Sequence, residues 1–380
     1  MNFSLSSALE CAAAALLAAS LGCSRGDGAK ELEQGREAYG LRDLARADKF
    51  FTRSLALSPD DVDRLTWLAR VKLELGEINE AKTLTDKAQA LSDGDVDVML
   101  LAAQTAFHAK DYKTAAKIFT AIGEDASLGT ELRSQGLAGL GVVEMACENH
   151  HLARISFLRA IRLNRRNAAA WYHLGFLYRD AFEYLEASLE QFEIFIRLDT
   201  EAGPRVQKVQ RTVIPALKEA ISRNAAERPG VARRDSSASA SAIAMAEAAL
   251  KKNQIKAARG AYQEALRLDP LSYPAAFGLA RAWERSDSSK AGQMKAFENY
   301  RLACELRPSA ISTFLATGAM AARLGLHSQA VEIYSRAVAA SPSSLDALDG
   351  LIRALRRVGG KANIAKAYQS YRDSMPVKKK

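Results

Sequence analysis

Cysteine is scarce in this chain of 380 residues, and its four copies cannot build a framework. Cys11 and Cys23 fall near the N-terminus, while Cys147 and Cys304 stand far apart. No Cys-x-x-Cys pair occurs, and the five histidines do not join cysteines at metal-ligand spacing. A disulfide scaffold and a structural zinc site are therefore excluded as organising devices. Proline is also rare, with nine copies, and like glycine it sits mainly where periodic segments end. No Val/Ile/Thr-rich run alternates apolar with polar residues, so no sheet is expected. The apolar run CAAAALLAASLG, residues 11–22, is shorter than the roughly 20 residues a membrane helix needs. Signatures of catalysis are missing as well: there is no GxSxG, Walker loop, strand-linked GxGxxG or HExxH. No catalytic residue, cofactor or metal is expected. The pair His150-His151 and the acids Glu183, Glu186 and Glu190 read as polar surface.

What is abundant is alanine, within an apolar content of 48%, while aromatics make up only 7%. Small residues at that density suit close helix–helix contact, and the expected class is all-α. The formal charge of +9 is unevenly spread. Residues 201–235 hold eight Lys/Arg against four Asp/Glu, and residues 351–380 hold nine against one. The basic character thus belongs to one connecting segment and the C-terminus, where residues 377–380 form a basic tail. That tail reads either as solvated or as touching anionic headgroups.

The apolar run at 11–22 fits the central region of a secretory signal. The segment Ala19 to Ser24, ASLGCS, resembles a bacterial lipoprotein box with Gly22 before Cys23. That resemblance implies cleavage after residue 22, lipidation of Cys23, and a membrane contact through the N-terminal lipid. The location it implies is the bacterial envelope, as an outer-membrane or periplasm-facing lipoprotein. Ser20 occupies the position where leucine is usual, and residues 1–10 contain no Lys or Arg. An unprocessed leader helix and a plain secretory signal are the alternatives, the first with a cytoplasmic location. A nucleic-acid partner is not expected for an exported chain.

Residues Ala168 to Asp199 read as two amphipathic helices joined by a short turn. Trp171, Leu174, Gly175 and Tyr178 fall at i, i+3, i+4 and i+7 and share one face. Phe192, Phe195 and Leu198 recur in the second helix. Weaker copies flank this stretch, with Gly35, Ala47 and Phe51 before it and Ala258, Tyr262, Ala265 and Pro270 after it. The pattern W-x2-LG-x2-Y followed by a small residue and an aromatic resembles the tetratricopeptide repeat, a helix-turn-helix of 34 residues. The resemblance covers residues 28–200, about five repeats, and 239–376, about four with a C-terminal cap. It implies an α-solenoid, a right-handed superhelix of eight to nine repeats in two arrays. Between the arrays, residues 201–222 read as a capping helix that Pro215 should kink or divide. Residues 223–238 read as a flexible linker. The inter-helix turn of the seventh repeat, SDSSKAGQ, looks about four residues too long. Trp171 and Trp283 read as core, and Trp67 falls off the main apolar stripe.

The resemblance further implies a groove lined by positions 2, 5, 9 and 12 of each first helix. Position 9 carries Arg36, Arg70 and Gln104 at 34-residue intervals. The fifth repeat contributes Tyr172, Phe176 and Arg179, and the second array contributes Phe277, Arg281 and Arg353. Such a row suits an extended peptide bearing carboxylates, because a guanidinium fork grips a carboxylate bidentately. Equally, Arg36 and Arg70 fit ordinary solvated helix positions. Position 5 holds Leu32, Thr66 and Leu100, and position 9 holds no Asn, so the clamp that chaperone-binding members use for a C-terminal carboxylate is missing. The expected function is non-catalytic binding of protein or peptide partners. Three settings are open: an envelope lipoprotein scaffold, a cytoplasmic adaptor, and a substrate-recruiting subunit of an envelope enzyme complex.

Overall fold

The computed structural model describes residues 28–92, 94–199, 203–226 and 234–375. The leader at 1–22, Cys23 and the tail at 377–380 lie outside the described residues. Among the described residues every element is helical. The helices come in antiparallel pairs, one pair per repeat. The first array comprises α1 (Ala29–Gly40) with α2 (Leu44–Leu57), α3 (Val62–Leu75) with α4 (Ile78–Leu91), and α5 (Val96–His108) with α6 (Tyr112–Glu124). It continues with α7 (Thr130–Ala146) and α8 (His150–Leu163), then α9 (Ala168–Asp180) and α10 (Leu185–Leu198). After α11 (Pro204–Lys208) and α12 (Ile214–Ala226) come α13 (Ser236–Lys251), α14 (Ile255–Leu268), α15 (Tyr273–Ser286) and α16 (Lys290–Leu306). The last pairs are α17 (Ile311–Arg323) with α18 (His327–Ala340), and α19 (Leu345–Arg357) with α20 (Ala362–Asp373). The fold is a tetratricopeptide-type stack of helix pairs. The described residues fall into two compact units, one within 28–177 and 194–199, the other within 178–193 and 203–375.

Helix starts follow from side-chain caps. Asp43, Asp61 and Asp111 accept the backbone N–H three residues on, at 3.0, 3.2 and 3.1 Å. Each satisfies one of the donors a helix start leaves unpaired. After the first helix of several repeats the chain turns through one left-handed residue: Arg42, Gly76 and Lys110, with φ of 62°, 83° and 62°. Only the glycine adopts that conformation without steric cost.

The two helices of a pair meet where a small residue faces a ring. A methyl group on Gly35 would stand 2.5 Å from the Phe51 ring, one on Gly141 2.6 Å from Phe157, and one on Gly318 2.7 Å from Tyr334. Phe51, Phe119, Phe157 and Phe192 are buried to within 1%. A buried serine lock reinforces the pairs. Ser54 donates to the Gly28 carbonyl (2.8 Å), Ser134 to Ala160 (2.8 Å) and Ser239 to Ala265 (2.9 Å). Links between repeats are ionic. Arg159 of α8 pairs with Glu124 of α6 at 2.7 Å, and within the α13–α14 pair Arg234 binds Asp269 at 2.8 Å. Asp269 is 4% exposed, and the Arg234 guanidinium beside it holds its carboxyl below the usual range.

Three local expectations change. The seventh repeat has a short turn and a long second helix, because Ser289 caps α16 by accepting from Gly292 N–H (3.1 Å) and draws residues 290–293 into the helix. Pro215 does not break its helix. A π turn over Val209–Val213, closed by the Ile214 N–H to the Val209 carbonyl, joins α11 to α12. Pro215 then falls in the first turn of α12, where a missing N–H is tolerated. Val206, Val209, Val213 and Leu217 are buried, and Lys218 lies 3.5 Å from Glu193 of α10. Within the 223–238 stretch, helix occupies 223–226 and 236–238, and 227–233 lie outside the described residues. Trp171 is half-buried, its Nε1 donating to the Arg165 carbonyl at 2.9 Å.

Glu144, near the end of α7, accepts from Ser156 at 2.7 Å and is pushed by burial to a pKa of about 7, a rise that the Ser156 hydrogen bond and Arg159 oppose. A carboxyl whose folded pKa is raised holds its proton more tightly in the folded chain. Its contribution to stability is complete below its ordinary value of 4.5 and is lost as pH rises through about 7. Melting temperature should therefore fall between pH 5 and pH 8, and Glu144→Gln should flatten that fall; an unchanged slope would contradict the assignment. Packing makes a second prediction. Gly141→Leu should cost about 1–3 kcal/mol by overpacking against Phe157. Gly260→Ala, in α14 with nothing within 4 Å of its new methyl, should gain about 0.5–1 kcal/mol. Chemical denaturation of both variants checks the pair of signs.

Candidate functional site: the shared face of the first helices

In the first unit the first helices lie side by side, α1 on α3, α3 on α5 and α5 on α7. Equivalent positions therefore line one face, and Arg36, Arg70 and Gln104 occupy it in order. The structure ties the two arginines to Trp67. The guanidinium of Arg36 lies 5.4 Å from the Trp67 ring centre and that of Arg70 lies 4.7 Å from it. Arg36 also pairs with Asp63 at 2.5 Å. Burial pushes the Asp63 carboxyl up, and Arg36 pulls it back. Trp67 is half-buried, stacked on Phe51 at 5.6 Å and edge-on to Tyr39 at 5.5 Å. It is the platform that orients both arginines, since a cation over an indole is worth about 0.5–1 kcal/mol at exposed sites. Neither arginine is an ordinary solvated side chain. Arg70 makes no salt bridge among the described residues and is the cation of this cluster best placed to receive an outside carboxylate.

Gln104 lies elsewhere on the face, 7% exposed, in the wall of a hollow of about 30 Å³. Leu100 and Gln104 of α5, Gln135, Ala138 and Val142 of α7, and Ala169 and His173 of α9 line it, with Phe119 and Asn167 below. Asn167 is engaged, donating to Ser134 Oγ at 2.8 Å and accepting from Ala170 N–H at 3.0 Å. The carbonyl oxygen of Gln135 is buried and has no hydrogen-bond partner among the described residues. The hollow is far below the roughly 300 Å³ of a small-molecule site, and its size suits a single short side chain of a partner.

The aromatic pair of the fifth repeat is packed. Phe176 is 9% exposed, edge-on to Tyr172 at 4.9 Å, and Tyr172 in turn meets Phe195 at 5.1 Å and His173 at 5.1 Å. Arg179 pairs with Asp180 at 2.5 Å. In the second unit Phe277 stacks on Tyr273 (5.9 Å) and meets Tyr300 edge-on (5.6 Å). Arg281 and Arg353 are exposed, and Arg353 bonds Tyr334. Sequence reading set Trp67 off the apolar stripe without linking it to the two arginines, and it passed over Gln135, Ala138, Val142 and His173. Counting positions 2, 5 and 9 from Ser134 in the fourth repeat reaches Gln135, Ala138 and Val142, so that signal was present. Among the described residues no cluster of His, Cys, Asp or Glu is arranged to hold a metal, and no helix is long and apolar enough to cross a membrane.

Residues 243–310, spanning α13 to α16, match the sequence pattern described as "Tetratricopeptide repeat". No curated protein matches the chain. Among solved structures it is similar to a thermophilic TPR protein of Thermus thermophilus, at 17% identity over 50% of this chain and 99% of that one, with a TM-score of 0.44. It is also similar to Pseudomonas aeruginosa pilF, at 18% identity over 53% and 93%, TM-score 0.40. The APC/C hetero-tetramer Cut9-Hcn1 is similar at 16% identity over 92% and 79%, TM-score 0.37. Residues 243–310 carry the tetratricopeptide pattern, and helix pairs outside that segment share its small-residue and ring contacts.

Proposed function

We propose that this protein is a non-catalytic scaffold that holds an extended segment of a partner protein along the first-helix face of its first unit. The observation that carries the proposal is the unsatisfied Gln135 carbonyl in the hollow, which a backbone or side-chain N–H of a bound segment would satisfy. Arg70, oriented by Trp67, supplies a cation for an acidic residue of the same segment. We further propose that Cys23 is acylated and that the scaffold works at the bacterial envelope; the ASLGCS segment supports that reading.

Gln135→Leu separates binding from folding by opposite signs. It should leave stability equal or higher, because a buried unpaired acceptor is removed, and should weaken the partner captured from the source cell about fivefold or more, the equivalent of at least about 1 kcal/mol. Unchanged affinity in titration calorimetry would overturn the role of the hollow. For the anchor, Cys23→Ala should change the mass of the mature chain and move the protein out of the membrane fraction. Identical lipid content and fractionation for both forms would overturn acylation of Cys23.

A further inference from the structure

The turns that join first to second helices in the second unit carry a concentration of positive charge that folding does not use. Residues 251–259, around the α13–α14 turn, hold Lys251, Lys252, Lys256 and Arg259 and no acid. Residues 285–295, around the α15–α16 turn, hold Arg285, Lys290 and Lys295 against Asp287. The two turns are neighbours: Arg285 reaches the Asn253 side chain at 3.5 Å, and Arg259 reaches Ser286 at 3.3 Å. Arg259 and Lys295 both lie over the one Trp283 ring, 3.9 and 4.5 Å from its centre. Of the acids on the adjoining helices, Glu284 is taken by Tyr300 (2.7 Å) and Arg323, while Glu247 stands one turn before Lys251 and Glu298 three residues after Lys295. Lys251, Lys252, Lys256 and Lys290 are exposed and make no salt bridge among the described residues. The α19–α20 turn adds Arg356, Arg357, Lys361 and Lys366, with no acid between residues 350 and 372. Equivalent turns of the first unit are different. Lys72 there is surrounded by Asp48, Glu77 and Glu80 at 2.7–3.1 Å, and Glu144 and Glu148 flank the α7–α8 turn.

We propose that this turn edge of the second unit docks on the surface of an anionic lipid bilayer. Charge complementarity and shape choose that partner. The cations stand in the turns and on the helix ends beside them, where exposed side chains can meet a flat surface. Most of the free ones are lysines, hydrated point charges suited to diffuse attraction and poorly suited to bidentate readout. A nucleic acid would need a stacking platform, and Trp283 is 8% exposed beneath two cations. The proposal does not rest on acylation of Cys23.

The test uses the full chain carrying Cys23→Ala and sedimentation with vesicles of phosphatidylcholine, with and without phosphatidylglycerol; the neutral vesicles measure any contribution of the leader. Binding should require phosphatidylglycerol and fall with added salt. The variant Lys251→Glu, Lys252→Glu, Lys256→Glu, Lys290→Glu should bind anionic vesicles at least about 100-fold more weakly, since each cation at such a surface contributes about fivefold, or about 1 kcal/mol. Its melting temperature should match the parent chain. Replacing Lys378, Lys379 and Lys380 with Ala should leave most binding in place. Loss of binding in that tail variant, equal binding by the charge-reversed variant, or tighter binding of a DNA duplex than of the vesicles would each overturn the proposal.

Discussion

The fold depends on one steric relation: in most repeats a small residue in the first helix admits an aromatic residue of the second, and in the second repeat Thr85 takes the place of the ring. Gly35 with Phe51, Gly141 with Phe157 and Gly318 with Tyr334 leave no room for even a methyl group. Ridges and grooves at that separation fix the crossing of the two helices. Once the pair is fixed, its outer faces are half-covered and need a neighbour, so the repeats stack. The buried Ser54, Ser134 and Ser239 bonds then close the open end of their pairs without an ion.

That packing consumes one side of each first helix and leaves another side shared with the next repeat. In the first unit this shared face gathers two kinds of polar group. One is cationic, where Trp67 holds Arg36 and Arg70 close to Asp63. The other is neutral, where Gln104 and Gln135 stand in a hollow walled by Leu100, Ala138 and Val142. A bound segment with an acidic residue and, further along, a short side chain would satisfy both. The chemistry these groups offer is recognition by charge and hydrogen bonds.

The repeat was legible in the sequence because it rests on residue size. Glycine and alanine against Phe or Tyr at fixed offsets can be read from letters alone, and so can the aspartate and serine caps. Features that rest on tertiary surroundings could not be read in that way. Residues 290–293 look like a loop until Ser289 is seen capping α16. Pro215 looks like a break until the π turn before it places the proline in a first turn. Arg42 and Lys110 give no hint of their left-handed backbone, although Gly76 at the equivalent position does. Phe176 has the right spacing for the groove, but Tyr172 and Phe195 close over it. Gln135 falls on a groove position of the fourth repeat, but the hollow that surrounds it exists only in the folded stack.

Photo-crosslinking from the shared face tests the central claim most directly. A benzophenone side chain placed at position 135, on the shared face of α7, is compared in the source cell with one at Lys117, exposed on the second helix α6. The account predicts that position 135 crosslinks to one segment of one partner, mapped by mass spectrometry, and that position 117 does not. Equal crosslinking from both positions, or crosslinking from 117 alone, would contradict it.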